Sequence, residues 1–174
     1  MNIYHTRNIY NSIFYHLKNL LISGGLIVGA EGDLTFTDSY PNEEQMKKMV
    51  PLCDYDSSDE NLIVLPVISF ENPGFIEKGL ELGTLTKERK STFIISVFAE
   101  SDIQADYLVD FVVSGLQSHN IRLYDYNQDY IQPPDMGKII IDDGLSAAFH
   151  YFTGANSIFR NTVDIIFTTI TNKI

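Results

Sequence analysis

The most informative stretch of this chain reads Phe93-Ile94-Ile95-Ser96-Val97-Phe98-Ala99-Glu100-Ser101-Asp102-Ile103-Gln104. Its first half is rich in β-branched and aromatic residues, which predicts a buried strand. Its second half places Ser101 and Gln104 at the spacing of a capping box, in which the glutamine side chain reaches back to the amide of residue 101. A strand therefore leads directly into a helix at residue 101.

The helix that begins at Ser101 is predicted to continue for about four turns. Its apolar residues recur at helical spacing and predict a core-facing stripe made of Ile103, Tyr107, Leu108, Phe111, Val112 and Leu116. Residues 1–23 predict a second amphipathic helix, which ends at Gly24 and Gly25 because glycine adopts positive φ without steric cost. Its broad apolar face favours packing on a sheet.

Strands account for most of the remaining pattern. Residues 63–70 predict a strand in which Pro66 moves one end toward a sheet edge or a bulge, because proline has no N–H for the ladder. A short strand at 80–85 and a charged connection at 86–90 would follow. Further strands are predicted at residues 121–124, 138–141, 147–152 and 161–170, the later ones within or after an extended loop and strand region at 127–160.

This order of elements predicts an α+β fold. We expect one domain over residues 1–174, with a mostly antiparallel sheet and the two main helices on one of its faces. Residues 31–62, which we name the acidic excursion, carry nine acidic and two basic residues. Their polarity and turn-forming residues predict a long loop with a mobile tip, too polar to belong to the core.

Charge and composition exclude several classes of protein. The chain has 23 acidic and 12 basic residues and a net charge of −11, which repels a phosphate backbone and argues against nucleic-acid binding as the main activity. A single cysteine, Cys53, excludes a disulfide framework or a thiolate zinc cluster. No apolar run approaches the roughly 20 residues needed to cross a bilayer, and no signal-peptide pattern is present, so we expect an intracellular protein without a membrane partner.

The residues capable of chemistry do not form a recognisable site. His5 and His16 would lie about 16 Å apart on the first helix, and His119 and His150 match no metal-binding spacing. Cys53 has no nearby histidine to lower the pKa of its thiol. We therefore expect no enzyme activity, no catalytic residue, no cofactor and no metal-binding residue.

A calcium loop is the strongest alternative to that expectation. A loop opening at Asp54 would place Asp56 and Ser58 at oxygen-ligand positions, but it would need glycine and glutamate where the chain has Asp59 and Leu65. A solvated loop is therefore favoured, and an ion held at a contact between subunits stays an open alternative.

Two charged groups are candidates for contacts between copies of the chain. Lys87, Arg89 and Lys90 form the only basic cluster. The acidic excursion offers the opposite charge on a neighbouring copy, which favours attraction between the two surfaces. The acidic members of this candidate inter-subunit contact are Asp54, Asp56, Asp59 and Glu60.

The middle of the chain resembles a family of tailed-bacteriophage neck proteins, the tail terminator and tail-completion proteins. The resemblance is carried by residues 65–71, the Leu-Gly turn within 80–83, the strand at 93–100 ending in Phe-Ala-Glu, and the helix over 101–117. Within that helix it includes Gln104, Asp106 and Leu108, and a closing strand near 161–169 matches loosely.

The resemblance implies a structural virion protein that forms a ring, usually hexameric, on the end of the tail tube. Its partners would be the tail tube protein and a head-side neck or adaptor protein, with DNA only as passing cargo. The acidic excursion and residues 127–160 exceed what a minimal member needs. That leaves open whether the position is tail terminator, head-completion adaptor, or a sheath or baseplate relative. The alternative function is a cytoplasmic small-ligand-binding or regulatory α+β domain with aromatic residues lining a pocket.

Overall fold

The computed structural model describes residues 3–25, 34–54, 56, 58–59, 61–79, 87–118, 120–126, 132–141, 146–150 and 161–173. The helices are α1 (Ile3–Ser23), α2 (Glu43–Lys47) and α3 (Asp102–Ser118), with a 3-10 helix at Leu52–Asp54. The strands are β1 (Thr35–Thr37), β2 (Met49–Val50), β3 (Ile63–Val64), β4 (Val67–Gly79), β5 (Lys87–Ala99), β6 (Ile121–Tyr124), β7 (Asp135–Ile141), β8 (Ser146–His150) and β9 (Asn161–Lys173).

Seven of these strands form one mixed sheet. Its order is β1-β4-β5-β9-β7-β6, and β8 also pairs with β9. Every pairing in it is antiparallel except that of β1 with β4. The short strands β2 and β3 form a separate parallel pair. The predicted α+β class with a mainly antiparallel sheet is therefore confirmed.

Helices α1 and α3 share one hydrophobic core with the sheet. Alternate residues of β5, from Phe93 to Ala99, point into that core, as expected from the two-residue period of a strand. Helix α1 contributes Ile9, Ile13 and Leu17 to the same cluster. Both long helices thus lie on one face of the sheet, as predicted. Helix α1 ends at Ser23, and Gly25, two residues further on, has a φ of 83°.

The predicted start of α3 is confirmed with one difference. The N–H of Gln104 donates to the Ser101 hydroxyl oxygen at 3.3 Å. The Gln104 side chain accepts from the N–H of Glu100 at 2.9 Å, one residue earlier than a capping box requires. The cap thereby ties the helix to the end of β5, since Glu100 follows directly after that strand.

The core-facing side of α3 differs from the prediction. Ala105, Leu108, Val109, Val112 and Leu116 are the buried residues of this helix. Ile103 and Tyr107, which were predicted to be part of the core stripe, are 82% and 55% exposed. The core face of α3 is therefore centred on Ala105, Leu108 and Val112 rather than on Ile103 and Tyr107.

The acidic excursion has more structure than the predicted loop. It contains β1, α2, β2 and the 3-10 helix; its described acidic residues are exposed, whereas Leu34 and Met49 are buried. Met49 packs with Leu65, Val67 and Phe98 in a second, smaller core cluster on the other face of the sheet. The expectation that this segment is too polar for the core was therefore wrong for its apolar residues.

Two predicted boundaries were also wrong. Residues 63–70 form two strands rather than one, because the chain breaks around Pro66 and β3 pairs with β2 while β4 pairs with β5. Residues 87–90 belong to β5 rather than to a connection, since β4 and β9 both continue alongside them. The short strand predicted at 80–85 lies outside the described residues.

Candidate assembly surfaces

The three longest strands continue together past the helix-facing part of the sheet. We name residues 74–79, 87–92 and 168–173 the distal ribbon, because the strand registers align them as one three-stranded unit. The ribbon carries five basic and two acidic residues in a protein whose net charge is −11. It is therefore the basic part of an acidic molecule.

The structure places all three predicted basic contact residues in the distal ribbon. Lys87 is opposite Gly79 and Lys173, and Arg89 is opposite Glu77 and Thr171. Lys90 is exposed. The structure therefore places the three basic residues within the first four positions of β5.

The predicted acidic contact residues lie on the excursion. Asp54, Asp56 and Asp59 are exposed, whereas Glu60 lies outside the described residues. Asp56 accepts from the N–H and hydroxyl of Ser58 at 2.9 and 2.7 Å, and these hydrogen bonds lower the pKa of Asp56. Asp59 accepts from the N–H of Asn61 at 3.0 Å. The lowered pKa favours the charged form of Asp56, and both aspartates shape their own turns through these hydrogen bonds.

The basic and acidic surfaces are held at opposite ends of one strand. Lys87 begins β5 and Ala99 ends it, and an extended strand of that length spans roughly 40 Å. The excursion packs beside Phe98 at the far end through Met49. The two charged groups of one chain are thus separated by the length of β5.

Helix α3 adds negative charge at the acidic end. Asp102, Asp106 and Asp110 recur every four residues and are all exposed. The helix contains no basic residue. Its exposed apolar residues Ile103 and Tyr107 lie beside this row of carboxylates, so the surface of α3 is apolar with an acidic border.

A groove between α1 and α3 continues this apolar surface. Its volume is about 310 Å³, and we name it the α3 groove; it is lined by Leu20, Tyr107, Asp110, Phe111, Ser114 and Gly115. Gly115 allows the two helices to approach closely, since a Cβ there would lie 2.7 Å from a methyl carbon of Leu20. Tyr107 and Phe111 fit the apolar stripe predicted to face the core, so the sequence pattern does not indicate this surface.

A polar row crosses the other face of the sheet. Ser69, Ser96 and Asp164 are aligned on β4, β5 and β9, and both serines are buried. Their hydroxyl groups make no hydrogen bond within the described part of the chain. Burial, and then the charge of Asp164, raises the pKa of the nearby Glu71. Burial also raises the pKa of Tyr40, with smaller effects from Asp164 and Glu71.

The cysteine and histidine candidates form no catalytic or metal site within the described residues. Cys53 is exposed, and desolvation together with the Asp54 carboxylate raises the pKa of its thiol. His16 lies half-buried on α1 and His150 ends β8, whereas His119 lies outside the described residues. In the described ranges, no three His, Cys, Asp or Glu residues are grouped so that they could hold a metal ion. No described helix is long and apolar enough to cross a membrane.

A scan against models of known protein families finds no match to this chain, and a search of curated proteins finds none either.

Proposed function

We propose that this protein is a structural assembly protein of the tailed-phage neck, which forms a ring that ends the tail tube and joins the tail to the head. The observation that carries the proposal is the separation of the basic distal ribbon from the acidic excursion by the length of β5. Opposite charges separated by the length of this strand are too far apart to pair within one chain, so they are available for contacts between chains.

Such an arrangement favours head-to-tail contact. A heterologous contact joins two different surfaces of the same protein, and repeated contacts of this kind close into a ring when the rotation between copies permits it. The ribbon of one copy would meet the acidic end of the next. Electrostatic attraction of this kind raises the rate of encounter and selects the orientation of the partners.

The neck position rests on the resemblance of the strand at 93–100 and the helix that follows it. The partners would be the tail tube protein on one side of the ring and a head-side neck or adaptor protein on the other. The net charge of −11 suits a ring through which DNA passes as cargo, since an acidic surface does not hold a phosphate backbone.

The first test is the mass of the purified chain in solution. Light scattering should give a multiple of 19.7 kDa near six, and negative-stain microscopy of the same sample should show closed rings. Adding the tail tube protein should then stop tube growth. A monomer at every concentration and ionic strength, together with no effect on tube length, would exclude the proposal.

The second candidate function is a small-ligand-binding or regulatory domain. The observation that favours it is the α3 groove, whose volume of about 310 Å³ is at the lower end of small-molecule sites. A metabolite that copurifies with the chain, or one that raises the melting temperature of a monomer, would support this alternative.

A further inference from the structure

The exposed side of α3 carries large apolar residues, which are unfavourable in contact with water. Ile103 is 82% exposed and Tyr107 is 55% exposed, one turn apart on the same side of the helix. They adjoin the α3 groove, in which Phe111 and Leu20 are only half-buried. Grouped apolar residues at a surface with a polar border are typical of interaction sites.

We propose that the α3 groove and the adjoining Ile103 receive the distal ribbon of a second copy of this chain. The inference rests on the proposed ring, and it names the surface that closes each contact. Charge would then guide the ribbon to the acidic end of its neighbour, and burial of Ile103 and Tyr107 would hold it there.

Charge complementarity identifies the ribbon as the occupant. The border of the groove is acidic, because Asp102, Asp106 and Asp110 are exposed along α3 and the helix has no base. The distal ribbon is basic, with five basic and two acidic residues. The five bases of the ribbon make it an attractive partner for this border.

The position of the groove agrees with a head-to-tail contact. Helix α3 begins three residues after β5 ends, so Ile103 lies at the end of the strand opposite to Lys87. A specific interface buries about 800 Å² on each partner, which is more than the few residues of the groove provide. The excursion, at the same end of β5, would supply the rest of the surface.

Aspartate substitutions on α3 test the inference. Ile103→Asp and Tyr107→Asp place a charge at exposed positions, so folding should be unaffected while self-association weakens by about tenfold or more. Met136→Asp is the matched control, because Met136 is a 51% exposed apolar residue on β7 that belongs neither to the groove nor to the distal ribbon. The measurements are the mass of each variant by light scattering over a concentration series and its melting temperature.

A cross-linking experiment identifies the occupant directly. Tyr107→Cys and Lys90→Cys are made in separate chains, each also carrying Cys53→Ser, and the two chains are mixed with a short bismaleimide. We expect a covalent dimer only in the mixture, and none when Met136→Cys replaces Tyr107→Cys.

The outcomes separate the inference from the proposed function. Rings that persist in both aspartate variants, with no cross-link, would overturn the inference and leave the ring proposal intact. A monomeric wild-type chain would overturn both. If the chain is a monomer and the aspartate variants melt at a lower temperature than wild type, the groove is filled by a segment of the same chain. That result also overturns the inference.

Discussion

The hydroxyl oxygen of Ser12 on α1 accepts a hydrogen bond from the backbone N–H of Tyr124 on β6, at 2.9 Å. Four residues earlier, the Asn8 side-chain oxygen accepts from the N–H of Tyr126 at 2.8 Å. These N–H groups lie along the outer edge of the sheet. Helix α1 therefore closes an edge that would otherwise be open to pairing with another strand.

Removing the Ser12 hydroxyl should destabilise the fold. Ser12 is only 2% exposed, so Ser12→Ala leaves the Tyr124 N–H without its acceptor at a buried position. This should lower the free energy of unfolding by about 1–3 kcal/mol. Urea denaturation measures the effect. Asn19→Ala, at an exposed position of the same helix, is the control and should stay within about 0.5 kcal/mol of wild type. Equal stability of the two variants would contradict the argument.

Glu71 should make the protein less stable as pH rises. Burial and Asp164 raise the pKa of Glu71 above its ordinary value of 4.5, so the folded chain binds more protons than the unfolded chain between those two pKa values. Stability therefore falls as pH rises through that window. Glu71→Gln should melt at a higher temperature than wild type at pH 7, and the difference should disappear below pH 4.5.

Glu43 is a control for the Glu71 prediction, because its pKa is shifted in the opposite direction. Its pKa is lowered by the hydrogen bond and charge of Lys47, whose ammonium lies 2.9 Å from its carboxylate. Both side chains are exposed, so the effect is small. Glu43→Gln should leave the melting temperature at pH 7 unchanged or slightly lower. A rise equal to that of Glu71→Gln would indicate a general effect of net charge.

Neutralising the basic cluster should weaken assembly. Lys87→Gln, Arg89→Gln and Lys90→Gln together should lower the mass measured by light scattering, and added salt should do the same to the wild-type chain. Glutamine is preferable to glutamate because Arg89 is in register with Glu77, and like charges there would destabilise the sheet itself.

The matched control for that variant neutralises three exposed bases that lie outside the distal ribbon and the acidic excursion: Arg7, Arg122 and Lys138. It changes the net charge by the same amount, so it should leave assembly at the wild-type level. An equal loss of mass in both triple variants would assign the effect to total charge rather than to the distal ribbon.

Gly25 should tolerate substitution poorly despite its open surroundings. Its φ of 83° is in the left-handed region, where a Cβ costs about 1–2 kcal/mol. Gly25→Ala should lower the free energy of unfolding by about 1 kcal/mol, and Gly25→Asn by less. Gly74→Ala is the control, since nothing lies within 4 Å of a Cβ there and its φ is not in that region. Comparable losses at both glycines would exclude the backbone explanation.

Local sequence patterns predicted those parts of the fold that depend on local physics. The strand at 121–124 coincides with β6, and the cap at Ser101 begins α3 as expected. Both follow from short-range preferences of the backbone and side chains.

The errors concern long-range packing. The burial of Met49 depends on Phe98, which is distant in sequence, and no local pattern within a mostly acidic segment indicates it. The exposure of Ile103 depends on how α3 rotates against the sheet, and a stripe of apolar residues wide enough to reach both Ile103 and Val112 does not define that rotation. The α3 groove was missed for the same reason.

The length of β5 also sets a dimension for the assembly that we propose. If each copy meets the next through opposite ends of this strand, the perimeter grows by roughly 40 Å per copy, and six copies would enclose a ring about 80 Å across. Inserting two residues in register into each of β4, β5 and β9 would lengthen the repeat by about 7 Å. The length of the strand would then set the diameter of the ring, and with it the diameter of the tube that the ring can close.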